Sequence, residues 1–250
     1  MKNRKIQHHP YSIVSTDFAD AGDSIIMNVD TTDVASLSLA AGQNVTWDYT
    51  ILSPNKVDSI IFHKPANTPG AQYFASISNM ALQPESDQPF YLYINKTTDK
   101  IEGVGIWADI QGNVIHPSYT DKPIFLKFPL EYNKTHIDSS FLTDIINMGP
   151  GMYGKIEMIQ KFDVTYDATG TIKLPNNKTY KCVREKRIEI NITNVYGGVT
   201  SNGPWTIIQA SKDTSYTYNF YAKTKKWNVA SVKVNNFTNN IIKEVQYLKE

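Results

Sequence analysis

Cysteine is nearly missing from this chain. Cys182 stands alone among 250 residues, so no disulfide can form within it and packing must hold the fold. Cys182 shares the parity of Tyr180 on a strand-like stretch, which predicts a buried structural thiol. A catalytic thiolate needs an activating neighbour, and no histidine lies near it in sequence. An excess of one charge is missing too: 25 Lys and Arg face 24 Asp and Glu, for a net charge of +1. That balance excludes the basic footprint of a nucleic-acid binder. No run reaches the roughly 18 apolar residues of a membrane helix, so no transmembrane segment is expected. Histidines are few: His8, His9, His63, His116 and His136. After the first pair none stands at a ligand spacing, so no metal site is predicted. There is no Gly-x-Ser-x-Gly elbow and no Gly-x-x-x-x-Gly-Lys loop, and Gly103-Val-Gly105 lacks the third glycine of a dinucleotide fingerprint. Carboxylates are scattered; Asp109, Asp163 and Asp167 could converge, although carboxylates beside strand ends usually just solvate a loop, and no pair marks a glycosidase. No catalytic residue, cofactor or metal ligand is therefore assigned.

What is present is aromatic and β-prone. Fifteen Tyr, ten Phe and four Trp make up 12% of the chain, and apolar residues 41%. Tyr and Thr suit pleated, half-buried strands, and tyrosine offers large contact area at low entropic cost. The clearest periodicity lies at residues 155–166. Ile156, Met158, Phe162, Val164 and Tyr166 fall on one parity; Lys155, Glu157, Lys161, Asp163 and Thr165 fall on the other. This is a strand with one dry and one wet face. Asp167-Ala-Thr-Gly170 reads as a turn, Thr171–Leu174 as a short strand, and Thr179–Ile190 as the return.

Elsewhere short strands recur at regular spacing. They are expected at 24–29, 43–50, 57–62, 90–94, 101–110, 124–132, 205–210, 215–222, 227–234 and 241–248. Residues 195–204 read as a glycine-rich loop. Asp138–Met148 is the best helix candidate, with Asp138 as cap and Phe141, Leu142, Ile145 and Ile146 on one face. Gly103 and Gly105 leave room on the face of Ile101 and Trp107, or mark a bulge. The expectation is one all-β domain over 16–250 after a polar lead-in at 1–15. It would be an antiparallel β-sandwich or curved half-barrel of about a dozen short strands, with at most one short helix. In a curled sheet, an apolar cavity for a lipid chain is an alternative to a filled core.

Several motifs resemble those of a secreted β-rich domain recurrent in Bacteroidetes. Thr16-Asp-Phe-Ala-Asp-Ala-Gly-Asp23 resembles its "ADFP-x-x-GD" opening, and Gly42-Gln-Asn-Val-Thr-Trp-Asp-Tyr-Thr50 its "G-x-N-x-x-WDFS" element. Asp167–Pro175 with Tyr180-Lys-Cys-Val-Arg184 resembles "D-G-x-G-x-L-x-LP…Y-x-x-VLR", and Tyr218-Asn-Phe-Tyr221 resembles "Y-x-W-Y". The resemblance spans nearly the whole chain. It implies export, often by the type IX route, to the periplasm, cell surface or exterior, and it implies no known reaction. The family's C-terminal sorting tail has no counterpart here. The basic stretch at 1–10 has no apolar core after it, as expected of a processed or altered end.

Three Asp-Ser/Thr motifs make Ser24, Thr31 and Ser59 candidate periplasmic O-glycosylation sites. The expected role is a non-enzymatic binding or structural module of the cell envelope, with a protein or glycan partner met by Trp107, Trp205 and Tyr221. A carrier of a hydrophobic ligand in a half-open barrel is the first alternative, and a β-scaffold hydrolase the second.

Overall fold

The computed structural model describes residues 11–250, apart from 33, 35, 111 and 176. Its fifteen strands are β1 (Ser24–Asp30), β2 (Gly42–Asp48), β3 (Lys56–His63), β4 (Met80–Pro84), β5 (Phe90–Lys96), β6 (Lys100–Ile110), β7 (Asn113–Ile115), β8 (Tyr119–Asp121), β9 (Ile124–Lys127), β10 (Thr135–Gly149), β11 (Met152–Leu174), β12 (Lys178–Gly198), β13 (Thr206–Ala222), β14 (Asn228–Val234) and β15 (Ile242–Leu248). Among the described residues there is one α-helix, α1 (Ala71–Phe74), and two single 3-10 turns. The expected all-β, antiparallel architecture is the one adopted.

The strands form one sheet in the order β7-β6-β5-β4-β3-β1-β15-β14-β13-β12-β11-β10-β8. β9 pairs with β6, and β2 pairs with β11. All ladders are antiparallel except β2 on β11, which is parallel. A bridge joins Gly105 in β6 to Ser118, just before β8. The two ends of the strand order therefore meet, and the sheet curls almost onto itself.

The parity read at residues 155–166 holds best in its second half. Phe162, Val164 and Tyr166 are buried on the inner face, while Lys161 and Asp163 are exposed. A bulge between Tyr166 and Ala168 then resets the alternation, so that Ala168, Ile172 and Leu174 join a second core on the outer face. The inner core gathers Ile25, Met27, Phe62, Ile94, Ile101 and Phe162. The outer core packs Trp47, Tyr49, Phe220, Val232 and Val245 beneath β2 and the segment before it. Arg184, almost wholly buried, fastens that cover. Its guanidinium donates to both Asp167 carboxylate oxygens at 2.8 Å and to the Leu39 carbonyl at 2.8 Å, and lies between Trp47 and Tyr218.

Several expectations are corrected. Asp138–Met148 is strand, not helix: Leu142 points inward and Phe141 outward, and 138–147 pair with β11 before an irregularity at Met148. The residues that looked like one helical face are divided between the two faces of a strand. Asp167–Gly170 is not a turn but part of β11, which runs 23 residues. Gly170 is there because β2 crosses it so closely that a Cβ would lie 1.9 Å from the Val45 carbonyl oxygen. The strands are not uniformly short, since β12 has 21 residues and β13 has 17. Residues 205–222, expected as two strands, are mostly one, and of the expected 195–204 loop the first four residues end β12 while 199–204 are loop. Residues 1–10 of the expected lead-in lie outside the described residues. Ile13, within it, is core and bridges to Leu130.

The long strands carry an arm beyond the body. On its far side β13 is paired with β14 only from Tyr216 to Tyr221, so residues 206–215 present an edge with no strand partner among the described residues. No charged residue occurs from Ile190 to Ser211 or from Ile145 to Gly154. At the arm's end Met148, Met152, Val199, Ile207 and Ile208 are exposed, Ile208 by 70%.

Candidate functional site

The curl of the sheet encloses space. One cavity of about 410 Å³ lies between two unlike walls. Strands β3, β4, β5, β6 and β9 contribute Ile60, Leu82, Leu92, Ile94, Ile101 and Leu126. Their alternation puts apolar side chains inward, as expected of strands with one solvated face. Across from them, β12, β13, β14 and β15 contribute Arg187, Glu189, Ser215, Thr217, Asn219, Ser231 and Gln246. The inner face of these strands is therefore polar, while their outer face is the dry one that packs under β2.

A second cavity of about 490 Å³ follows along the same inner faces toward the arm, between Phe90, Ile106 and Ala108 on one side and Leu142, Ile156 and Met158 on the other. The Tyr119 hydroxyl donates to Gln160 Oε1 at 3.0 Å, and Gln160 Nε2 donates to Asn191 Oδ1 at 3.0 Å. This chain continues from Asn191 Nδ2 to Glu189 at 3.0 Å.

Burying a charged wall is costly unless each group is paired. Here the anchor is Glu185, fully buried. It accepts from Arg187 Nε at 2.8 Å, from Asn219 Nδ2 at 2.9 Å and from the Tyr166 hydroxyl at 3.2 Å. Ser231 in turn donates to Asn219 Oδ1 at 2.8 Å. Burial opposes the charge on Arg187, but the Glu185 carboxylate outweighs it, so the guanidinium stays protonated throughout the physiological range. Burial also drives the Tyr166 and Tyr221 hydroxyls well above their ordinary values, so both are neutral donors. Arg187 Nη2 donates to the Phe125 carbonyl at 2.5 Å and so ties the polar wall to β9. These contacts fix the wall, and they supply neither an activated nucleophile nor a separated acid and base.

The residues expected to meet a partner do not form one surface. Trp107 is buried with Phe74, Tyr91 and Tyr93. Tyr221 is also buried, 5.5 Å from Phe18, and lines the first cavity rather than the exterior. Both are corrected from surface to interior. Trp205 sits half-buried near the arm's end, its ring packed on Gly198 with Lys155 Nζ 5.9 Å from its centroid. Ser24 and Thr31 are exposed and Ser59 is half-buried, donating to Glu85 at 3.1 Å. The space suggested by Gly103 and Gly105 is filled: Pro123 lies against the first glycine, and Phe74 with the Pro117 carbonyl lies against the second. Both cavities touch β6, the first at Ile101 and the second at Ile106 and Ala108, but neither glycine lines them.

Asp109, Asp163 and Asp167 do not converge. Asp109 accepts from Gly112 N in the β6–β7 turn, Asp163 is exposed on the outer face, and Asp167 holds Arg184. Among the described residues no group of three or more His, Cys, Asp or Glu could hold a metal ion, and no helix is long and apolar enough to cross a membrane. Compared with protein families, with curated proteins and with solved structures, the chain matches none.

Proposed function

We propose that this protein is a non-enzymatic carrier that holds a small apolar molecule inside its curled sheet, working at the bacterial cell envelope as the sequence resemblance implies. The cavity of about 410 Å³ carries this reading. Its volume falls within the range of small-molecule sites, and its one apolar wall faces a small set of placed polar groups, as such sites do. The buried tyrosines and the fully engaged Glu185 favour binding over hydrolysis, because the carboxylate at the centre of the wall is held by three donors.

The test is titration of the delipidated protein with Nile red, a neutral apolar fluorophore. Saturable binding with a blue-shifted emission is expected, and Leu92→Trp, which fills the cavity from β5, should abolish it while leaving the thermal melt cooperative. Binding that survives in Leu92→Trp defeats this reading.

The edge of β13 without a strand partner among the described residues favours a second reading, in which the protein is a subunit that accepts a partner's extended strand at residues 206–215. Unpaired edges template strand addition, and natural sheets block them with charge or proline. Here Ile207 and Ile208 are exposed on an edge uncharged until Lys212. Ile208→Lys should release the protein from its native complex in the envelope fraction on a native gel; unchanged migration would refute the strand-addition reading.

A further inference from the structure

We infer that the cavity selects a neutral amphiphile: an apolar chain or ring system along the β3–β6 wall, carrying an uncharged oxygen group, such as an alcohol or ester, that faces β12 and β13. This rests on the carrier reading above and specifies the ligand's chemistry. Three observations converge on it.

The polar wall is only partly used by the protein itself. Arg187 commits Nε and Nη2 to Glu185 and the Phe125 carbonyl, while Nη1 has no acceptor among the described residues. The hydroxyls of Ser215 and Thr217, which also line the cavity, have no hydrogen-bond partner among the described residues. A guanidinium N–H and two hydroxyls of half-buried residues, all facing a half-open cavity, suit an oxygen-bearing guest, because oxygen can accept from all three.

The charges then decide the kind of oxygen group. Arg187 is balanced by Glu185, and a second carboxylate, Glu189, stands on the same wall. An anionic head would lie beside two carboxylates, and a cationic head beside the guanidinium. Either like-charge approach is costly in a poorly solvated cavity. A neutral oxygen meets neither repulsion and still accepts from Arg187 Nη1.

The opposite wall fixes the rest of the molecule. Ile60, Leu82, Leu92, Ile94 and Ile101 offer no polar side-chain atom, so only the apolar body can lie there. The guest is thus polar along one side or at one end, and apolar elsewhere.

The experiment is displacement of Nile red by four probes sharing one chain, at pH 7.5: dodecane, dodecan-1-ol, dodecanoate and dodecylamine. Dodecan-1-ol is expected to displace at a concentration about tenfold lower than any of the others, as one to two hydrogen bonds to charged or buried groups would give. Thr217→Val with Ser215→Ala should erase that advantage while dodecane binds as before. Dodecanoate or dodecylamine binding best, or all four binding equally, overturns the inference and leaves the carrier reading standing. Failure of Nile red to bind at all overturns both.

Discussion

Replacing Gly170 with alanine is the most searching test of how the two cores are joined. Gly170 lies in the middle of β11, paired with Cys182 of β12 on one side and Val45 of β2 on the other. An added Cβ would meet the Val45 carbonyl oxygen at 1.9 Å and the Val45 carbonyl carbon and amide nitrogen at 2.7 Å. All three are backbone atoms, so no rotamer change relieves the clash. An extra methyl in a packed core typically costs about 1–3 kcal/mol when neighbours can shift. Here the neighbour is a strand, and it must lift. Lifting β2 strips the Thr171–Thr46, Ile172–Trp47 and Lys173–Asp48 pairings and opens the site of Trp47 and Tyr49, both fully buried. Losing one large buried aromatic alone costs about 3–5 kcal/mol. At about 2–4 °C per kcal/mol for a chain of this size, the melting temperature should fall by about 6–20 °C by calorimetry. Near-ultraviolet circular dichroism should report the Trp47 environment changing at 20 °C, well below the melt. Gly154→Ala is the control, since the one tight contact of its Cβ would be the Met148 sulfur, at 3.0 Å, on an exposed flexible side chain, and the nearest backbone atom, the Tyr196 carbonyl oxygen, lies at 4.0 Å. A Gly170→Ala protein melting within about 2 °C of the parent would refute the argument that backbone proximity fixes this residue.

Three further outcomes are expected. Phe162→Ala, which empties a fully packed inner-face site against Phe125, should lower stability by about 3–5 kcal/mol, whereas Lys161→Asp on the outer face should stay within about 0.5 kcal/mol; urea melts giving the two variants equal midpoints would sink the parity assignment. Burial pushes the Cys182 thiol up to about 12, so iodoacetamide at pH 8 should leave the folded protein unlabelled by mass spectrometry and label it fully in guanidinium; rapid labelling of the folded form would contradict the buried site. Burial lowers the His136 imidazole below its ordinary 6.5, with Arg187 acting the same way and Glu185 and Asp138 opposing. The folded state then binds fewer protons than the unfolded one, so stability is full above pH 6.5 and is lost as pH falls through the folded value. His136→Leu should shrink the difference between melting temperatures at pH 7.5 and 5.5, and an unchanged difference would remove His136 from the acid response.

The fold class was legible because most strands carry their own evidence. The stretches 90–94 and 101–110, read as strands from their apolar and aromatic content on either side of the polar Asn95–Lys100, form the β5–β6 hairpin, with Asn95 and Lys96 extending β5. Where the reading failed, two rules competed. Residues 138–148 contain Phe141, Leu142, Ile145 and Ile146 at helical spacing because both faces of β10 are half-exposed, and no burial forces a strict alternation. Asp167-Ala-Thr-Gly170 has the composition of a turn, but its glycine serves a close strand crossing. The partner strand lies more than 120 residues earlier, and nothing local encodes it.

The candidate site was harder to see, for a reason that bears on the function. In β12, Val183 and Glu185, Arg187, Glu189 and Asn191 share the inner parity, while Ile188, Ile190 and Ile192 share the outer one. By the usual rule the isoleucines would mark the core side and the charged residues the solvent side. The structure inverts this over the middle of the strand. The isoleucines lie half-exposed on the arm's outer face, and Glu185 and Arg187 point into the barrel. A chain selected only for stability gains little from such an inversion, since a buried ion pair seldom outperforms well-packed apolar side chains. The inversion is confined to the wall that faces the cavity, and the strands opposite keep their apolar residues inward. Departures from the patterning rule are expected at functional sites. This one locates the polar half of the cavity on β12 and β13, where the proposed carrier would distinguish one apolar guest from another.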